Sequence, residues 1–251
     1  MQIGWHFARR LALLGGLFVV TAAPSRAVEI TLDVLAGGRY AGSLDATQLG
    51  CKDTGATTAS CSAKNLALGD LGITSLDLSL DTDPSVNGVI AVQNNSAGTQ
   101  QFSLTITLLT APLGPSSLTG GSVAGGVTDN DGNGATLSTV PGSALYTALI
   151  DGAVHQTLYA DPTMLTVVNP YDSADLVPPG AFGTPIPSLP GPAVATSIGI
   201  RYVFNLTGQD AASFTGVFDV ETVPEPGTTA LFGLGLGGLA LIGRRRSQPP
   251  G

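Results

Sequence analysis

Phe102-Ser103-Leu104-Thr105-Ile106-Thr107-Leu108 decides the fold class. Apolar side chains occupy every second position, with hydroxyl side chains between them. Successive side chains of a β-strand point to opposite faces, so this stretch buries Phe102, Leu104, Ile106 and Leu108 and wets Ser103, Thr105 and Thr107. A helix would distribute the same residues around a cylinder and bury none of them well.

The same period recurs on either side. Ile198, Ile200, Tyr202, Phe204 and Leu206 alternate with Gly199, Arg201, Asn205 and Thr207. Leu76, Leu78 and Leu80 oppose Ser75, Asp77, Ser79 and Asp81. Val28, Ile30, Leu32 and Val34 form a first strand, and Phe214, Phe218 and Val220 mark a last one. Outer faces built from Thr and Ser suit antiparallel sheets with one wet side. The expectation is an all-β, antiparallel β-sandwich of jelly-roll type over residues 28–222. Its core should hold Phe102, Leu104, Ile106, Ile200, Tyr202 and Phe204.

Turn residues punctuate the strands. Asn94-Asn95-Ser96-Ala97-Gly98 predicts a hairpin between Val86–Gln93 and Gln101–Thr110, and Thr207-Gly208-Gln209-Asp210 separates the last two strands. Pro178 to Pro192 holds six Pro and three Gly, so it reads as a long loop and not as a central strand.

Charge is divided unevenly. The chain of 251 residues has a formal net charge of −8, but residues 28–226 contain all 18 acidic side chains and only Arg39, Lys52, Lys64 and Arg201 as cations. Such a region repels nucleic-acid phosphates, so no nucleic-acid partner is expected.

The remaining cations mark the two ends. Arg9 and Arg10 precede Leu11 to Val20, an apolar run of 10 residues that is short for a bilayer span. Ser25-Arg26-Ala27 then supplies small residues at −3 and −1. Residues 1–27 read as a signal peptide with an N-terminal signal helix, cut by signal peptidase after Ala27. In the oxidising compartment that follows, Cys51 and Cys61 are expected to form a disulfide across CKDTGATTASC, a loop or hairpin tip without large apolar side chains.

Residues 223–251 read VPEPGTTALFGLGLGGLALIGRRRSQPPG. Val223-Pro224-Glu225-Pro226 is stiff and extended, because proline fixes φ and turns the preceding residue away from helix. Thr228 to Gly243 is an uncharged run of 16 residues, about 24 Å long as a helix and therefore a short transmembrane span. Arg244, Arg245 and Arg246 form a basic stop that places this end in the cytoplasm. With Arg9 and Arg10 doing the same for the N-terminus, everything between lies outside.

This order of parts resembles the PEP-CTERM tail of exported proteins in Gram-negative bacteria that make extracellular polysaccharide; the tail is also labelled an ice-binding protein C-terminal domain. The resemblance implies that Pro224, Glu225 and Pro226 are the sorting motif of an exosortase, an integral-membrane cysteine transpeptidase. That partner would remove the helix and deliver the protein to the envelope or extracellular matrix.

Other motifs carry less. Gly233 to Gly238 match G-x-G-x-x-G, but no βαβ unit and no acidic residue follows, so a dinucleotide site is rejected. Asp129-Asn130-Asp131-Gly132-Asn133-Gly134 matches the first six positions of a calcium loop, with Asp129, Asp131 and Asn133 as candidate ligands. Val140 stands where the bidentate Glu belongs and cannot ligate. His155 is the one histidine after the leader, and no G-x-S-x-G accompanies it, so no catalytic residue and no enzyme is expected. The sequons at Asn94 and Asn205 carry no meaning for a bacterial chain.

The expected role is a structural envelope or matrix protein associated with extracellular polysaccharide. The alternative is a carbohydrate-binding or adhesin-like module, less readily an ice-binding one, on a permanent single-span membrane anchor. Scattered Thr and the lack of a short repeat count against an ice-binding array.

Overall fold

The computed structural model describes residues 29–223, and these form seventeen strands. The signal segment with Ala27, and the tail with Pro224–Pro226, Thr228–Gly243 and Arg244–Arg246, lie outside the described residues. In chain order the strands are β1 (Ile30–Ala36), β2 (Arg39–Asp45), β3 (Lys52–Asp53), β4 (Thr58–Leu68), β5 (Leu71–Asp81) and β6 (Ser85–Asn94). There follow β7 (Gln100–Leu109), β8 (Ser116–Thr128), β9 (Ala135–Ser138), β10 (Tyr146–Ile150), β11 (Ala153–Leu158) and β12 (Met164–Val167). The last five are β13 (Ser173–Asp175), β14 (Gly180–Phe182), β15 (Leu189–Pro192), β16 (Ser197–Leu206) and β17 (Ala211–Thr222).

All pairings are antiparallel, and they form two sheets. One runs β11-β10-β16-β7-β1-β2, with β9 and β12 added beside the end of β16. The other runs β13-β8-β17-β6-β5-β4-β3, with β14 and β15 also on the free edge of β8. β3 to β6 are consecutive neighbours in one sheet, so the winding is a meander over that stretch where a jelly roll would alternate between sheets.

The alternating residues meet between the sheets. Phe102, Leu104, Phe204 and Phe214 are fully buried, and Ile106, Ile200 and Tyr202 nearly so. The Tyr202 and Phe214 rings, from opposite sheets, stack with centroids 5.0 Å apart. Phe204 lies as close to Phe214 at a steeper tilt. Tyr146 donates its hydroxyl across the gap to the Val217 carbonyl at 2.8 Å. Full burial of each such side chain is worth about 1.5–3 kcal/mol.

The hairpin expected at Asn94–Gly98 is a correction. β6 pairs with β5 and β17, whereas β7 pairs with β1 and β16 in the other sheet. The turn is a corner that carries the chain across the core. The second corner, between β16 and β17, crosses at the same end and bonds to it. Turn chemistry specifies a reversal; which sheet receives the next strand is set by long-range pairing.

The Pro178–Pro192 stretch is likewise more ordered than a loop. β14 and β15 pair with β8 at an edge of the sheet, where a proline without an N–H donor is tolerated. Cys51 and Cys61 are disulfide-bonded. Cys61 lies on β4 and is 1% exposed, so the bridge pins a strand of the core where an exposed tip was expected.

Both ends of the described residues lie at one end of the fold. Ile30 pairs with Leu108, which pairs with Ile198, all at the end opposite the two corners. Thr222 pairs with Ser117 at that same end, since β17 starts from a corner. A strand of 12 residues separates the two ends of the molecule by roughly 40 Å.

Candidate functional site

Two loops meet beside the corners, at the end away from the termini. The first, between β8 and β9, contains Asp129 to Gly134. The second, between β12 and β13, contains Tyr171. Asp129 is 2% exposed and joins them. Its Oδ1 accepts the backbone N–H of Asp131 at 3.3 Å and of Gly132 at 2.8 Å. Its Oδ2 accepts Gly134 N–H at 3.1 Å and Tyr171 N–H at 3.0 Å. Burial opposes the charge, but these donors outweigh it and hold the Asp129 carboxyl below its ordinary value.

Asp210 comes from the second corner and is fully buried. It accepts the Asn130 N–H at 3.2 Å and the Thr207 hydroxyl. Burial pushes its carboxyl up, and the neighbouring charges of Asp131 and Asp129 add to the rise. Carboxylate oxygens of Asp129, Asp131 and Asp210 all lie within 4.8 Å of one another.

Of the expected cation ligands, the structure brings Asp129 and Asp131 together and adds Asp210, which the sequence reading missed. Asn133 instead donates its amide to Asp131 Oδ2 at 2.6 Å. Calcium takes six to eight oxygens. Each Asp129 oxygen already accepts two N–H groups, which uses up the acceptor capacity of that carboxylate. The arrangement is therefore built first as a scaffold that fixes two loops. No spacing rule links Asp210 to Asp129, because the contact arises from the corner.

Tyr171 is the most conspicuous product of this scaffold. It is 72% exposed and adopts φ 59°, a left-handed conformation uncommon for a bulky residue. Its ring lies over Gly132, itself at φ 85°, where a Cβ would come within 2.7 Å of Tyr171 Cζ.

His155 lies elsewhere, half-buried on β11. Its ring sits 6.5 Å from Phe182 and 6.4 Å from Phe218. Nε2 is hydrogen-bonded to Thr119 Oγ1 at 2.8 Å, and that hydroxyl also reaches Leu189 O at 3.1 Å. Burial holds the imidazole below its ordinary value. Asn94 of the first sequon is fully buried inside a corner, and Asn205 of the second donates to Thr139 O.

The tail joins the fold directly. β17 ends at exposed Thr222, and Val223 is 39% exposed, so the chain is already at the surface where the Pro-Glu-Pro segment begins. A family model described as the PEP-CTERM protein-sorting motif matches residues 222–246. No curated protein matches the chain.

Proposed function

We propose that this chain, which carries the PEP-CTERM sorting motif of exported exosortase targets, is a non-enzymatic component of the cell envelope or extracellular matrix that associates with extracellular polysaccharide. The match at 222–246 carries the export and sorting part of this reading. The motif begins where β17 leaves the sheet, so an exosortase reaches it without unfolding the β region. The prolines keep the segment extended, and Glu225 offers one charge for a basic pocket to read. Thr228–Gly243 acts as a transient inner-membrane anchor, and Arg244–Arg246 set the depth at which the motif emerges. Signal peptidase cleaves after Ala27, and residues 28–222 form the delivered β-sandwich.

Ile30 and Thr222 support this orientation, because both lie at one end of the fold. Mass spectrometry of the mature protein from a polysaccharide-producing host provides the test. The expected C-terminus lies at or near Pro224–Gly227, and Glu225→Ala should accumulate the unprocessed chain. Recovery of intact Arg244–Gly251 on the surface form, unchanged by Glu225→Ala, would mean a permanent single-span anchor and overturn the sorting step.

A further inference from the structure

The geometry points to a binding platform for a neutral polysaccharide, formed by the Tyr171 ring with Asp131, Asn133, Asn169 and Asp172 around it. The inference rests on the polysaccharide association proposed above and gives it a location.

A bulky side chain at φ 59° sits in a sparsely populated, strained backbone conformation. Burial would offset that for a core residue, but Tyr171 is 72% exposed. The strain is instead enforced, since Asp129 accepts the Tyr171 N–H while holding three N–H groups of the facing loop. Strained backbone that the surroundings over-determine is characteristic of ligand sites.

The enforced conformation has a shape. One face of the ring rests on Gly132, which has no side chain to displace it. The residue is otherwise open to solvent. A flat, rigid aromatic face with two side-chain torsions loses little entropy when a ligand stacks on it. The C–H face of a hexopyranose is the apolar surface that fits such a ring, and its equatorial hydroxyls need hydrogen-bonding groups at the rim. Asp131, Asn133, Asn169 and Asp172 are exposed and flank the two contacting residues in sequence. Asn133 bonds Asp131 and Asn169 bonds Asp172, and the donor and acceptor sites these pairs leave open meet the hydroxyls. The same carboxylates repel a uronate or sulfated sugar, so the ligand class is neutral.

Position supports the assignment. Tyr171 lies at the end with the corners, roughly 40 Å along the strands from the exit of both termini. A chain held at its C-terminal end, beside Thr222, presents this end outward.

The experiment uses the full-length chain in mild detergent on an array of glucan and mannan oligosaccharides, with alginate oligosaccharides as the charged counterpart. The expected result is binding to neutral hexose chains and not to alginate. Tyr171→Ala should weaken it roughly tenfold, the scale of one aromatic stacking contact, while Tyr171→Trp retains it. Tyr171→Gly should bind as poorly as Tyr171→Ala yet melt no lower than the parent, because glycine relieves the left-handed strain. Neutral-glycan binding that survives Tyr171→Ala, or a preference for alginate, would overturn the platform and leave the polysaccharide association standing. Absence of binding to either class would overturn both.

Discussion

Asn94 and Asp210 lie 116 positions apart in sequence, are both fully buried, and hold the two corners together through an Asn94 N–H to Asp210 carbonyl bond of 2.9 Å. The Asn94 amide also donates to Leu206 O at 2.9 Å and Thr207 O at 3.0 Å, and closes its own turn through Gly98 O at 2.8 Å. Its Oδ1 accepts from Ser96. One side chain thus satisfies carbonyls of both crossings between the sheets.

Asn94→Ala should therefore be severe. It strands several buried carbonyls, at about 1–3 kcal/mol for each one left without a partner or water. Urea denaturation should show a loss of about 3 kcal/mol with an unchanged slope. A loss below about 0.5 kcal/mol would mean that the corners hold without this residue.

Gly121 on β8 gives the second prediction. A Cβ there would lie 2.6 Å from Phe182 Cζ and 2.9 Å from the Val217 carbonyl. Gly121→Ala should cost about 1–3 kcal/mol through forced displacement of β14. Thermal melts should report the loss. Phe182→Leu in the same background should recover part of it by vacating the space.

The disulfide yields a third. Reduction, or the Cys51→Ser/Cys61→Ser double variant, should lower stability by about 2–3 kcal/mol, since the loop it closes is short. Thiol titration of the exported protein, unfolded but unreduced, should find none. Two titratable thiols would show that the bridge does not form in the cell.

Acidification should destabilise the fold in two steps. His155 has a folded pKa held below its ordinary value of about 6.5, so its contribution is present above that pH and is lost as pH falls through the folded pKa. Asp129, also depressed, behaves likewise below about pH 4. Asp210 is raised and opposes them: its folded form takes up a proton first, so acid favours the fold at that group. Melting temperature should fall between pH 7 and 5, and His155→Gln should flatten that part of the profile. An unchanged slope in the variant would assign the effect elsewhere.

The strands that alternate were legible because each buries one face: Phe102–Leu108 and Ile198–Leu206 declare their register residue by residue. β8 was not legible. Its sequence SSLTGGSVAGGVT has no apolar alternation, yet it lies between β17 and the edge strands. Its glycines serve close approach, as at Gly121, and a glycine chosen for contact cannot be told from one chosen for a turn. The candidate site was half legible for a related reason. Asp129 and Asp131 stand out in a Gly-rich turn, whereas Asp210 and Tyr171 join them through corners and loop packing that leave no mark on local sequence. Calcium-loop spacing named ligands, but a carboxylate that accepts four backbone N–H groups has become part of the frame.

β17 occupies an interior position in its sheet, paired with β6 on one side and with β8 along its full length on the other, and it ends one residue before Val223. A pull applied at Val223 is therefore felt along the axis of a strand held on both flanks. The bonds of the β8 flank lie across that pull and must yield together, because force in shear cannot open them one at a time. Whatever holds the C-terminal side of Val223, load enters the fold through an element suited to carry tension.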